Sequence, residues 1–131
     1  MLRATLVADL ETTVAAYLKL ARAFGQPSFL LESVEGGAQR GRYTMMGFAP
    51  DLIWRCDGDK ASINRDPTAD QARFVADERP ALDSLRALIA DSAIPDAGDD
   101  LPPMAAGLFG ALGYDMIRLM ERLPPAKRRM P

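Results

Sequence analysis

The sequence predicts an α+β fold, with antiparallel strands in a meander or sandwich-like sheet and two to three helices packed against them. Three observations predict it. Short apolar or β-favouring runs separated by Gly, Pro and Asp turns fill residues 27–64. Two segments, starting near Thr12 and Ala81, carry apolar residues at helical spacing. The 131 residues are 48% hydrophobic and 26% charged, a composition that supports a core without a disulfide or a metal.

Taken in order, residues 2–8 (LRATLVA) predict a first strand ended by Asp9. A helix follows from Thr12 or Thr13 as N-cap, with Val14, Tyr17, Leu18 and Ala21 on one stripe and Gly25 as its stop. Phe29-Leu30-Leu31 and Tyr43-Thr44-Met45-Met46 predict two strands joined by a tight connection through Gly36-Gly37. Ala49-Pro50 turns the chain into a strand ending at Cys56, Asp57-Gly58-Asp59 is a turn, and Ala61–Asn64 returns as the antiparallel partner. These strands form a meander of four. Arg65–Pro80 is polar and predicts a surface excursion, and Leu82, Leu85, Leu88 and Ile89 predict a second helix over Ala81–Ala90. An acidic, proline-containing loop spans Ser92–Pro103. Gly107, Gly110 and Gly113 predict a strand closely approached by another backbone, and Tyr114–Met120 predicts a short helix ended by Leu123-Pro124-Pro125.

Composition narrows the chemistry. The absence of histidine removes the commonest general base and metal ligand together, and the lone Cys56 leaves no thiolate site. A net charge of −2 gives no footprint for nucleic acid, and no run reaches the ~18 apolar residues of a membrane helix. The unpaired cysteine, with a start lacking a charged segment followed by an apolar one, predicts a cytoplasmic protein.

Among candidate sites, the glycines at 107, 110 and 113 match neither the dinucleotide fingerprint nor a Walker A loop. Asp96, Asp99 and Asp100 match no EF-hand loop and read as a solvated acidic segment. The loop carrying Gly36, Gly37, Arg40 and Arg42 offers backbone N–H groups and two guanidinium groups to an anion, with ordinary turn chemistry as the alternative reading. The pair Glu32-Ser33 follows a strongly apolar strand. Either the strand reaches solvent there, or Glu32 and nearby carbonyls take a ligand ammonium while Ser33 and a backbone N–H take its carboxylate.

The stretch LLESVEGGAQRGRYTMMGFAP resembles the anthranilate synthase component I family of chorismate-utilising enzymes, which carries an LLES element and a glycine-arginine hairpin. ADLETTVAAYLKL resembles the family's first strand and helix, and GLFGALGYDMIRLME its GLFGYxGYDxxR element. The resemblance implies that residues 1–125 are the N-terminal regulatory domain of a larger two-part α+β enzyme and that 126–131 begin a linker to a C-terminal chorismate-binding catalytic domain. It implies an L-tryptophan effector site at Leu31, Glu32 and Ser33, with Tyr43 nearby, and no catalytic residue in this segment. For the whole enzyme it implies Mg2+ in the catalytic domain, a glutamine amidotransferase partner subunit (component II), and conversion of chorismate and ammonia to anthranilate and pyruvate. Aminodeoxychorismate synthase component I and a free-standing small-molecule binding or interaction module are the competing expectations. One departure stands at the first helix, where members of the family often have Thr-Pro-Val and this chain has Thr12-Thr13-Val14.

Overall fold

In a computed structural model, residues 3–25, 27–32, 43–94 and 107–124 are described. They fall into two compact units, the first made of Met1–Leu52 with Asp66–Ala72 and the second of Ile53–Arg65 with Arg73–Pro131. The α+β class predicted from the sequence holds: two small antiparallel sheets accompany three α-helices among the described residues. None of the described helices is long and apolar enough to cross a membrane.

The first unit contains helix α1 (Thr13–Phe24) and strands β1 (Ser28–Glu32) and β2 (Thr44–Phe48). The Thr12 hydroxyl accepts from the Ala15 N–H at 3.1 Å, satisfying one of the orphan donors of the first turn. At the other end Gly25 adopts φ 74°, a conformation costly for residues with a Cβ, and its N–H closes on the Ala21 carbonyl at 2.9 Å. β1 and β2 pair antiparallel with Ser28 opposite Phe48, Leu30 opposite Met46 and Glu32 opposite Thr44. The connection carrying Gly36, Gly37, Arg40 and Arg42 lies outside the described residues.

The second unit holds β3 (Ile53–Asp57), β4 (Lys60–Asn64), β5 (Val75–Pro80), α2 (Ala81–Asp91), a 3₁₀ turn at Tyr114–Met116 and the one-turn α3 (Ile117–Met120). Its sheet runs in the order β3-β4-β5, all antiparallel. Gly58 at φ 55° makes the β3–β4 turn. The core is Ala61 and Ile63 from β4, Ala81 and Leu88 from α2, and Met116. Because Pro80 precedes α2 and has no side-chain cap to offer, Asp59 Oδ1 accepts the Ala81 N–H at 2.9 Å from the β3–β4 turn.

A polar chain crosses this core. The indole Nε1 of Trp54 donates to Ser84 Oγ at 3.0 Å, and Ser84 Oγ donates to Asp77 Oδ2 at 2.8 Å. Arg79 closes the chain by donating to both Asp77 oxygens through Nε and Nη2. The Arg79 side chain, its backbone N–H and the Ser84 hydroxyl together hold the Asp77 carboxyl far below its usual range. Among the described residues every buried side-chain N or O atom has a hydrogen-bond partner. Cys56 lies 3.3 Å from Met116 Sδ, and burial, with Asp57 and Asp59 beside it, raises its thiol pKa.

Four expectations are corrected. Residues 3–8 form no strand, and Leu6 is 86% exposed. The predicted four-strand meander is divided between two sheets, β1-β2 and β3-β4-β5. The polar stretch before Pro80 contains β5, an edge strand whose residues are mostly exposed, so few of them need be apolar. Its register slips between Lys60 and Ser62, and the slip accommodates the local Asp77–Arg79 turn. Finally, residues 107–113 form no strand, and a Cβ at Gly110 or Gly113 would meet nothing within 4 Å. Those two glycines are therefore not there to admit another backbone.

Candidate functional site

Alternation along β1 separates two faces: Ser28, Leu30 and Glu32 on one, Phe29 and Leu31 on the other. α1 lies on the first face. Tyr17 Oη and Ser28 Oγ are 2.9 Å apart, and the Tyr17 and Phe24 rings stand 5.5 and 6.0 Å from the Phe48 ring. Further along that face the Thr13 hydroxyl donates to Glu32 Oε1. Glu32 is thus held at the first turn of α1, where the helix dipole favours a negative charge. Its carboxylate is exposed, and among the described residues its bond to Thr13 leaves further acceptor capacity.

On the second face Phe29 is half-buried and Leu31 is exposed. Leu31, registered opposite Met45, is 53% exposed. Next to it the Phe29 ring lies over Gly47, where a Cβ would stand 2.3 Å from Phe29 Cε1. The ring occupies the space that any larger residue would need. Tyr43 immediately precedes β2 and is 47% exposed. Leu31, Glu32 and Tyr43 therefore gather at one end of the two-stranded sheet, although Leu31 and Glu32 point to opposite faces. Ser33 lies outside the described residues, as do Asp96, Asp99 and Asp100.

Comparison with curated proteins finds relatives along almost the whole chain. Anthranilate synthase component 1 of Cereibacter sphaeroides is 55% identical over 121 residues, which is 92% of this chain and 24% of the relative. The component 1 proteins of Thermus thermophilus and Synechocystis are 38% and 39% identical, each over 95% of this chain. Along more than nine-tenths of its length this chain is similar to a segment of anthranilate synthase component 1 proteins. It spans about a quarter of the length of these relatives. No family model and no solved structure matches it.

Among the described residues no enclosed cavity is lined by Glu32. A cavity of about 140 Å³ in the first unit is lined by residues such as Phe24, Pro50 and Pro67, and one of about 230 Å³ in the second unit by Asp59, Leu82 and Arg86. Both are smaller than an ordinary small-molecule site of ~300–1,000 Å³, and neither includes Leu31, Glu32 or Tyr43. Among the described residues no group of three or more metal-ligating side chains is arranged to hold a metal ion.

The residue that sequence reasoning missed is Thr13 as the partner of Glu32. The two are 19 positions apart, in a helix and a strand, so no local spacing rule joins them.

Proposed function

We propose that this chain is the N-terminal regulatory region of an anthranilate synthase large subunit and forms one wall of a feedback site for L-tryptophan. The observation that carries the reading is the exposed Glu32 carboxylate, held by Thr13 at the end of an apolar strand. A carboxylate there accepts the amino-acid ammonium, while Leu31 and Tyr43 offer apolar surface to the indole and Ser33 completes the set. The remaining wall comes from the rest of the protein, in keeping with a segment about a quarter of its relatives' length.

On this reading the whole enzyme is cytoplasmic and converts chorismate, with ammonia delivered from glutamine by a component II subunit, to anthranilate and pyruvate. Mg2+ and the catalytic groups belong to its C-terminal domain. Tryptophan inhibits by binding one arrangement of the large subunit more tightly than another, which is the differential affinity that any allosteric effect requires. The names of the relatives favour this over aminodeoxychorismate synthase, and analysis of the product separates the two.

Glu32→Ala in the full-length enzyme tests the assignment. Loss of a charge-assisted hydrogen bond of ~1.5–3 kcal/mol raises the tryptophan concentration for half-inhibition by about tenfold or more. Unaltered tryptophan sensitivity in that variant would refute the site.

A further inference from the structure

We propose that Thr13 is a positioning residue for the effector: its hydroxyl holds Glu32 Oε1 and so presents the carboxylate to the ligand ammonium with Oε2 available. The inference rests on the tryptophan-site reading above and adds a residue to it. Three observations support it. Thr13 is the first residue of α1, and the N-cap bond from Ala15 to Thr12 anchors that turn, so the hydroxyl is carried on a fixed element. Its β-branched side chain has few χ1 choices. Glu32, by contrast, is an exposed side chain at a strand end, and its bond to Thr13 is what restricts it.

The consequence concerns affinity. A mobile glutamate must surrender rotamer freedom when a ligand binds, which weakens binding. A glutamate already held by a threonine hydroxyl has surrendered part of that freedom beforehand. A residue without a hydroxyl at this position could not donate that bond.

The test uses L-tryptophan titration by calorimetry, together with inhibition curves, on the full-length enzyme and four variants. Thr13→Val keeps the shape and removes the hydroxyl; Thr13→Ala removes it without β-branching; Thr13→Ser keeps it; Glu32→Ala removes the acceptor. The expected result is a roughly three- to tenfold rise in the tryptophan Kd for Thr13→Val and Thr13→Ala, from the lost pre-orientation, with Thr13→Ser close to the parent. An unchanged or tighter Kd in both variants without the hydroxyl, or a Thr13→Ser variant as weak as Thr13→Val, overturns the positioning role. Glu32→Ala separates the two levels. If it loses tryptophan affinity while Thr13→Val does not, only the Thr13 inference fails; if it binds tryptophan like the parent, the site reading fails and takes the inference with it.

Discussion

The two units of the chain contain helices of similar length and amphipathic character, yet only one of the two helices buries side chains among the described residues. In the second unit α2 buries Ala81, Ser84 and Leu88. In the first, α1 has no buried residue, although it carries the predicted stripe of Val14, Tyr17, Leu18 and Ala21. Tyr17 and Ala21 are partly covered, whereas Val14 and Leu18 stay exposed. The sheets explain the difference. A three-stranded sheet with a helix on it encloses side chains from both layers, while a two-stranded ribbon is too narrow to cover one helix face. An amphipathic stripe therefore records that a helix face is to be covered, and says nothing about what covers it.

Substitutions can break or sharpen this contrast. The largest effect is expected for Leu88→Ala, since Leu88 is 2% exposed and its removal leaves a cavity costing about 2–5 kcal/mol. The drop should appear as a lower urea midpoint. A midpoint shift worth less than about 1 kcal/mol, the scale of a half-covered site, would mean that the second unit is packed no better than the first.

A smaller, pH-dependent effect belongs to the polar chain of the second unit. The Asp77 carboxyl is held well below its ordinary value of 3.8, so on acidification the unfolded chain takes up the proton first. Its contribution to stability is complete above about pH 5 and declines as pH falls through the carboxylate range toward the lower folded-state value. Asp77→Asn should flatten that part of a thermal-midpoint-against-pH curve. An identical acid limb in the variant would show that other carboxylates produce it.

The smallest effect is expected for Leu18→Ala in the first unit. With Leu18 at 52% exposure, the cost in this segment is at most about 0.5 kcal/mol, as for other surface substitutions. A loss comparable to that of Leu88→Ala would reveal that α1 is covered in solution, and sedimentation of the same sample would show whether a second copy covers it.

Local signals located several elements well. The Thr12 cap and Gly25 stop bound α1, the Asp57-Gly58-Asp59 turn joins β3 to β4, and the Leu82, Leu85, Leu88 stripe marks α2. Each depends on residues within one or two turns of each other. β5 was illegible because its strand character comes from pairing with β4 and not from its own side chains, Val-Ala-Asp-Glu-Arg-Pro. The glycines at 110 and 113 misled for the opposite reason, since a residue type that permits close approach does not supply the neighbour.

At the candidate site the sequence determined the chemical groups: an apolar strand ending in Leu31-Glu32, a tyrosine at the start of the returning strand, and motifs resembling one enzyme family. What the tertiary structure decided was their arrangement. Strand alternation sends Leu31 and Glu32 to opposite faces, the packing of α1 on one face brings Thr13 to Glu32, and Leu31 on the other is left exposed. Residue identity and short-range spacing are written along the chain, but a contact between a helix and a strand 19 residues apart exists only once the two are packed together.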